Sequence, residues 1–291
     1  MTKARKGIIL AGGSGTRLYP ITKVISKQLI PVYDKPMIYY PLSVLMLAGI
    51  REIAIVTTPA QKNNFQDLLG NGSGWGLTLE YIEQPSPDGI AQAFILAESF
   101  LDGSPSVLIL GDNLFYGHGL TQLLRQASES ERCTAFGCKV PDPNRFGVVA
   151  FDSRGRVTSI EEKPMHPKSN YAVTGLYFVD AHAPSLARNL QASERGELEI
   201  TSLLDIYVKK SAVDLIKLGR GYSWFDTGTQ DSLLDAAMFV KTLQKNQGLM
   251  IGCPEEIAVN NEWVSLEAMK RVTEGRSSTY YSVCFSSLCE N

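Results

Sequence analysis

After six residues the chain continues with Gly7-Ile8-Ile9-Leu10-Ala11-Gly12-Gly13-Ser14-Gly15-Thr16-Arg17-Leu18. The apolar first half has the length of a buried strand, and the second half is a glycine-rich turn. Glycine allows tight turns and the close approach of a ligand, and successive N–H groups in such a loop can bind an anion. Arg17 adds a planar cation suited to phosphate oxygens. The stretch therefore predicts a phosphate-binding loop after the first strand, with an ordinary connection between two elements as the alternative.

Two other phosphate-binding loops do not fit this stretch. A P-loop ends in Gly-Lys-Ser/Thr, whereas Gly15 is followed by Thr16-Arg17. The dinucleotide fingerprint G-x-G-x-x-G matches Gly13 and Gly15, but its third glycine would fall on Leu18. A dinucleotide-dependent oxidoreductase, for which Asp34 would be the acidic residue, stays an alternative that Leu18 disfavours.

The bulk properties are those of a globular protein. The 291 residues are 44% hydrophobic and 20% charged with a net charge of -2, so there is no basic excess for nucleic-acid binding and a bound nucleotide is expected to be a small molecule. No apolar run reaches the roughly 20 residues of a membrane span. The five cysteines lack zinc-knuckle spacing and the three histidines lack metal-ligand spacing, so we expect free thiols in a reducing cytoplasm and no membrane partner.

Strand-like and helix-like segments alternate in the first half. Apolar, β-branched runs predict strands at 7–11, 53–58, 78–83 and 107–111, and helices are predicted at 37–48, 61–69, 90–101 and 120–128. This order predicts an α/β protein with a Rossmann-like, mostly parallel mixed sheet and helices on both faces. The second half is predicted to extend the same sheet, with strands at 134–140, 148–152, 157–161, 172–179, 213–218 and 222–225 and helices at 200–210 and 230–245. We expect a single domain over residues 1–291, with a core at 6–245 and an extension at 246–291.

Polar residues follow several predicted strands, at the sheet edge where ligands bind. Asp112 and Asp226 each come after an apolar run and could hold Mg²⁺, which takes one or two carboxylates together with phosphates and water. The alternative for each is a turn or capping aspartate. Lys27 and Lys163 are candidate cations or simply solvated lysines. The loop from Gln84 to Gly89 could read a base through an amide or merely connect a strand to a helix.

Several ordered motifs together resemble the sugar-1-phosphate nucleotidyltransferase family. The loop from Leu10 to Leu18 is followed, ten residues after Arg17, by Lys27 in Ser-Lys-Gln-Leu-Ile-Pro. Six further motifs resemble the bacterial glucose-1-phosphate thymidylyltransferase branch of that family. They are Tyr33-Asp34-Lys35-Pro36-Met37-Ile38-Tyr39-Tyr40, Glu83-Gln84-Pro85-Ser86-Pro87-Asp88-Gly89, Gly111-Asp112-Asn113, Glu161-Glu162-Lys163-Pro164, Tyr171-Ala172-Val173-Thr174-Gly175-Leu176-Tyr177 and Arg195-Gly196-Glu197-Leu198-Glu199-Ile200-Thr201. The resemblance covers residues 6 to about 258.

The resemblance implies a nucleotide-diphospho-sugar transferase fold and a role for each matching residue. Nucleotide binding falls on Leu10, Gly12, Gly13, Ser14, Gly15, Thr16, Gln28, Gln84, Pro87 and Gly89. Catalysis falls on Arg17, Lys27 and Lys163, with Asp112 and Asp226 as the Mg²⁺ ligands. Sugar binding falls on Asn113, Gly147, Glu162, Lys163, Val173, Tyr177 and Trp224. The implied reaction joins dTTP and glucose 1-phosphate to give dTDP-glucose and pyrophosphate, in a homotetramer arranged as a dimer of dimers.

Three further points accompany the resemblance. The implied product feeds deoxysugars such as rhamnose in cell-surface polysaccharides. UTP or another sugar phosphate as substrate, and a non-catalytic sensor of sugar nucleotides, are the alternatives. The chain departs from its relatives at Phe146, where many have tyrosine, at Ser202, where many have aspartate, and in the tail at 277–291. The tail lacks a clear helical period, which puts in question the regulatory nucleotide site and the subunit contacts that this region builds in the family.

Overall fold

A computed structural model describes residues 3–13 and 15–273, which form thirteen strands and ten α-helices. The strands are β1 (Lys6–Ala11), β2 (Pro31–Val32), β3 (Lys35–Pro36), β4 (Glu52–Thr57), β5 (Thr78–Glu83), β6 (Ser106–Leu110), β7 (Asn113–Gly117), β8 (Cys133–Lys139), β9 (Gly147–Phe151), β10 (Val157–Glu162), β11 (Tyr171–Val179), β12 (Val213–Leu218) and β13 (Tyr222–Asp226). The helices are α1 (Tyr39–Leu47), α2 (Lys62–Leu69), α3 (Gln92–Leu96), α4 (Glu98–Leu101), α5 (Leu120–Glu129), α6 (Ala183–Arg188), α7 (Ile200–Lys209), α8 (Gln230–Gln247), α9 (Pro254–Asn260) and α10 (Leu266–Thr273).

A nine-stranded sheet crosses the molecule in the order β10-β9-β11-β6-β1-β4-β5, with β8 paired to β11 and β12 paired to β8. The strands β5, β4, β1 and β6 are parallel, with Ile9 level with Ile55 on β4 and with Ile109 on β6. The strand β11 runs antiparallel to β6, β8 and β9, while β12 is parallel to β8. The predicted mixed α/β sheet is therefore confirmed.

Helices cover both faces of this sheet, as predicted. Alternate residues of a strand point to opposite faces, so Ile9 packs in one core cluster and Ile8 in the other. The first cluster takes Phe65 from α2, and the second takes Phe94 from α3. Each large apolar side chain that is fully buried contributes about 1.5–3 kcal/mol, so the two clusters hold the strand ends rigidly in place.

The structure departs from the predicted elements at two places. The helix predicted at 90–101 is interrupted at Ala97, whose ψ of 3° lies outside the helical range and separates α3 from α4. The strand β7 was not predicted, and β13 pairs with it in a separate two-stranded ribbon instead of extending the sheet. A turn at Gly111 and Asp112 leads the chain out of the sheet after β6, which makes this ribbon possible.

The ribbon formed by β7 and β13 packs against α1 and α8 through a third apolar cluster that includes Leu114 and Phe225. Its register sets Asp226 opposite Asn113, next to the carboxyl end of β6. The helix α8 starts directly after it with a capping box between Thr229 and Ser232. The ribbon therefore brings the end of β13 to the edge of the sheet where β1 and β6 end.

A few predictions remain outside these observations. Within the described ranges, no helix has the length and apolar character needed to cross a membrane. Ser14 and the tail at 277–291 lie outside the described residues. The single-domain assignment, with its core at 6–245 and its extension at 246–291, stays a prediction.

Candidate active site

A cleft of about 680 Å³ lies at the carboxyl ends of β1 and β6, between the parallel and antiparallel parts of the sheet. Fifteen of the residues predicted for the site line it: Leu10, Gly13, Thr16, Arg17, Lys27, Gln28, Asp112, Asn113, Gly147, Glu162, Lys163, Val173, Tyr177, Trp224 and Asp226. Gly12, Gly15, Gln84, Pro87 and Gly89 are not among its lining residues. The structure thus brings together residues from both halves of the chain.

Two carboxylates face the cleft from neighbouring strand ends. Asp112 follows β6 and Asp226 ends β13. The ammonium of Lys27 forms an ion pair with Asp112, and Asn113 Nδ2 donates a hydrogen bond to Asp112 Oδ1 at 3.0 Å. One cation and one amide thus hold the Asp112 carboxylate in position.

The two carboxylates have opposite electrostatic environments. Burial acts to raise the pKa of Asp112, but the charge and hydrogen bonds of Lys27 and Asn113 outweigh it, so that this pKa lies below its usual value. Burial raises the pKa of Asp226, and the negative charge of Asp112 raises it further against the opposing effect of Lys27 and Arg17. A cation between the two would relieve this repulsion.

Within the described part of the chain, the guanidinium groups of two arginines in the cleft make no hydrogen bond or ion pair. Arg17 lies in a short 3₁₀ helix, Thr16–Leu18, after the glycine loop, and its charge acts on Asp226. Arg145 precedes β9, stands 5.5 Å from the ring centre of Phe146 and also acts on Asp226. Both guanidinium groups are therefore available to an anionic ligand in the cleft.

The opposite wall of the cleft is built around Glu162, at the end of β10. Its Oε2 accepts a hydrogen bond from Thr201 at 3.3 Å, and its Oε1 lies 3.3 Å from Arg195 and 3.4 Å from Lys163. Lys163 has a left-handed backbone, with φ of 41°, and its N–H donates to Phe146 O at 3.0 Å. This geometry turns the chain after β10 and leaves a carboxylate beside two cations.

Aromatic side chains complete that wall. Trp224 Nε1 donates to Asn113 Oδ1 at 2.5 Å, and its ring meets Phe146 edge to face with centres 5.2 Å apart. Tyr177 is buried below them, and its pKa is raised by burial and by the charge of Glu162. A cleft with polar groups on an aromatic wall suits a sugar ring, which has both hydroxyl groups and apolar faces.

The loop from Gln84 to Gly89 lies behind the glycine loop. Gln84 is 3% exposed, its Nε2 donates to Gln92 Oε1 at 2.7 Å, and its Oε1 comes so close to Gly12 that a Cβ there would overlap it. Gly89 has φ of 109° and packs against the backbone of Leu198, where a side chain would also clash. These contacts fix the shape of the loop, and Pro87 is exposed at its outer side.

Arg145 and Arg195 line the cleft, although neither was predicted as a site residue from the sequence. Arg195 Nη2 bonds Glu199 Oε1 at 2.8 Å as well as reaching Glu162. Arg195 belongs to the family motif at 195–201, and Arg145 directly precedes Phe146. No sequence pattern, however, distinguishes an arginine that lines a cleft from one on the surface.

The acidic pair fits a divalent cation that also binds phosphates. Within residues 3–13 and 15–273, no cluster of three or more His, Cys, Asp and Glu side chains could hold a metal alone. Asp112 and Asp226 therefore offer the one or two carboxylates that Mg²⁺ typically takes from a protein when a nucleotide supplies the remaining oxygens. The mutual repulsion of this buried pair is consistent with such a ligand.

Residues 6–242 match the family model for nucleotidyl transferases, so the chain belongs to that family of enzymes. The glucose-1-phosphate thymidylyltransferase of Xanthomonas campestris pv. campestris is 58% identical to it over 269 residues, which cover 92% of this chain and 91% of the relative. The enzyme of that name from Neisseria gonorrhoeae is 56% identical over 95% of this chain and 96% of its own. In the Mycobacterium tuberculosis enzyme of that name the identity is 50%, over 91% of this chain and 92% of the relative. The resemblance inferred from the motifs is thereby confirmed.

Solved structures agree with the fold. A Bacillus anthracis structure in complex with sucrose is 40% identical, has a TM-score of 0.74, and covers 81% of this chain and 95% of its own. A UDP-glucose pyrophosphorylase complexed with UDP-glucose has a TM-score of 0.73 at 23% identity, covering 84% of this chain and all of its own. At that identity the second likeness supports the fold alone.

Proposed function

We propose that the protein transfers a thymidylyl group from dTTP to α-D-glucose 1-phosphate, giving dTDP-glucose and pyrophosphate. The observation that carries the proposal is the meeting of three parts in one cleft: the loop after β1, the acidic pair, and the wall around Glu162. The names of relatives that match over nine-tenths of both chains support the same reaction.

The reaction needs no strong base, because the attacking group is already an anion. An oxygen of the sugar phosphate attacks the α-phosphorus in line with the leaving pyrophosphate, so one P–O bond forms as another breaks. Two anions must approach each other, and catalysis therefore depends on positioning and on neutralising charge. Fixing both reactants in one geometry contributes up to about 7–11 kcal/mol.

The residues of the cleft divide these tasks between them. Arg17 and Lys27, on the side of the glycine loop, would bind the triphosphate and stabilise the departing pyrophosphate. Lys163 is placed beside Glu162, where it would hold the phosphate of the sugar. The guanidinium of Arg145 also lines the cleft and its charge acts on Asp226, so we assign it to the same phosphates.

Mg²⁺ is the cation we propose for Asp112 and Asp226, where it would neutralise charge on the α-phosphate. Glu162 would accept hydrogen bonds from the glucose hydroxyls, and the amide of Asn113 would donate to one of them. Gly147, Val173, Tyr177 and Trp224 would shape the pocket. The backbone from Gly12 to Thr16, with Leu10 and Gln28, would enclose the phosphates and the ribose. Gln84, Pro87 and Gly89 would present the edge that reads thymine.

The test is pyrophosphate release with glucose 1-phosphate and Mg²⁺, run separately with dTTP, UTP, ATP, CTP and GTP. We expect the fastest release with dTTP, a slower reaction with UTP, and none after EDTA. The UTP reaction is expected because one methyl group discriminates by only about 1–3 kcal/mol. Folded protein that releases no pyrophosphate with any nucleotide would contradict the proposal and favour a sensor of sugar nucleotides.

The assembly and the setting of the enzyme are further parts of the proposal. We infer a homotetramer, so light scattering should give a particle of four 31.9 kDa chains. A monomer or dimer at micromolar concentration would contradict this. Cys133 and Cys138 are not disulfide-bonded, which supports a reducing, cytoplasmic setting. The product would supply deoxysugar synthesis for surface polysaccharides such as those containing rhamnose.

A further inference from the structure

Thr227 is a buried residue that joins the two strand ends carrying the acidic pair. It follows Asp226 directly and is fully buried, with no exposed surface. Its backbone N–H donates to the carbonyl oxygen of Asp112 at 3.1 Å, and its hydroxyl donates to the same oxygen at 2.7 Å. Thr227 thus makes two hydrogen bonds to the backbone of Asp112 and is itself the neighbour of Asp226 in the chain.

These two bonds continue the pairing of the ribbon by one residue. The register of β7 and β13 ends with Asp226 opposite Asn113. The N–H of Thr227 extends that ladder to Asp112, and its hydroxyl adds a second hydrogen bond to the same carbonyl oxygen. The hydroxyl also lies 3.2 Å from the sulfur of Met37, in an apolar environment where water cannot replace a lost bond.

The link is needed because the two carboxylates repel each other. The side chain of Asp112 is held by Lys27 and Asn113, but these bonds do not fix where the ribbon end carrying Asp226 lies. The ribbon register sets Asp226 opposite Asn113, and the two bonds of Thr227 fix the last step of the backbone, from there to Asp112. Loss of its hydroxyl would allow the strand ends to move apart under the repulsion.

We propose that Thr227 is a positioning residue that sets the separation of Asp112 and Asp226 for a shared divalent cation. This inference rests on the proposed function, in which those carboxylates bind the metal. Groups that orient metal ligands typically change metal affinity by about 10- to 100-fold when they are removed. A purely structural threonine would change stability without changing metal affinity.

The first test is a titration with Mn²⁺ followed by electron paramagnetic resonance of the free ion, with no substrate present. Thr227→Val removes the hydroxyl and keeps the shape, and we expect it to weaken Mn²⁺ binding by about tenfold. Thr227→Ser keeps the hydroxyl and should bind as the wild type does. Asp226→Asn should abolish the site. Thr134→Val is the control, because Thr134 is also a buried threonine, at 3% exposed, and its hydroxyl lies 3.5 Å from the backbone oxygen of Arg132, which is not part of the acidic pair.

Two outcomes would overturn the inference: a folded Thr227→Val protein that binds Mn²⁺ as tightly as the wild type, or a wild type whose Mn²⁺ binding does not depend on Asp226. If Thr227→Val does not fold, Thr227→Ala carries the same test. In the pyrophosphate assay we expect the Mg²⁺ concentration for half-maximal rate to rise in Thr227→Val, with kcat largely restored at saturating Mg²⁺. A wild type that releases no pyrophosphate would refute the proposed function, while the Mn²⁺ titration would still decide the role of Thr227.

Discussion

Asp226 is a single residue whose buried charge lowers the stability of the folded protein. Its carboxylate is buried beside Asp112, and both effects raise its pKa. A raised carboxyl pKa means that the ionised form is disfavoured in the folded state, so the destabilisation is fully present above that pKa and disappears as the pH falls through it. The charge of Asp226 thus lowers the free energy of unfolding, and such a loss of stability is typical of functional sites.

Asp226→Asn should therefore raise the melting temperature of the metal-free protein while removing activity. The amide cannot supply a charged metal ligand, and losses of about 10²-fold or more are typical when a main electrostatic group is removed. Calorimetry in EDTA and the pyrophosphate assay measure the two effects. Asp214→Asn is the control, since Asp214 on β12 forms a half-exposed ion pair with Arg132. Wild-type turnover in Asp226→Asn would refute the assignment of Asp226 as a metal ligand.

Trp224 contacts the proposed sugar side of the cleft through both its ring and its indole N–H. Trp224→Phe keeps an aromatic ring against Phe146 but removes the N–H that bonds Asn113. Because such a bond is worth about 0.5–1.5 kcal/mol, we expect the KM for glucose 1-phosphate to rise several-fold with the KM for dTTP unchanged. Trp75→Phe, which loses a bond to Glu255 instead, should leave both KM values unchanged. An equal rise for both substrates would contradict the placement of Trp224 in the sugar pocket.

At the scale of elements, β9, β11 and α7 meet tightly at Gly147, the first residue of β9. A methyl group there would lie 2.6 Å from Thr201 Cγ2 and 2.8 Å from Val173 Cγ2. Gly147→Ala must push these elements apart, at about 1–3 kcal/mol for overpacking. We expect a lower melting temperature and a raised KM for the sugar phosphate.

The matched control for that variant is Gly219→Ala, because a Cβ at Gly219 meets nothing within 4 Å. Steady-state kinetics with each substrate varied in turn, together with thermal unfolding, would separate the two variants. If Gly147→Ala changed the KM for dTTP and left that for the sugar phosphate alone, the assignment of β9 to the sugar side would be wrong.

The elements also show what local sequence could predict. The strands β1, β4 and β6 lie where apolar, β-branched runs predicted them, because a buried parallel strand needs such a run in its own sequence. The edge strand β5 also lies where it was predicted. The ribbon was missed because β7 is defined by pairing with β13, more than a hundred residues away. The break at Ala97 was missed since an apolar helical pattern continues across it.

The residues of the site could be predicted because they belong to motifs of the family. Without those motifs, nothing in the composition would have predicted that Asp112 and Asp226 lie in one site. The bonds of Thr227, the cleft position of Arg145 and the carboxylate shared by Arg195 and Thr201 depend on tertiary contacts that no spacing in the chain encodes.

At the scale of the whole molecule, the proposed catalytic residues all lie between Leu10 and Asp226. A chain ending at Thr273 keeps every described element. We therefore expect it to release pyrophosphate at the wild-type rate per chain. Light scattering on the same sample tests whether residues 274–291 contribute to assembly. A folded, shortened protein without activity would show that the tail takes part in the reaction.

The junction of β6 with β11 has a consequence for how such enzymes diversify. On one side of it, the parallel strands carry the proposed contacts to the nucleotide, and on the other the antiparallel strands carry most of those to the sugar. Each substrate is thus contacted largely by residues encoded in one half of the gene. Substitutions after residue 140 could therefore change the sugar specificity of the enzyme while its nucleotide specificity stays the same. Recombination between homologous genes near residue 140 would be a direct way to obtain new sugar nucleotides.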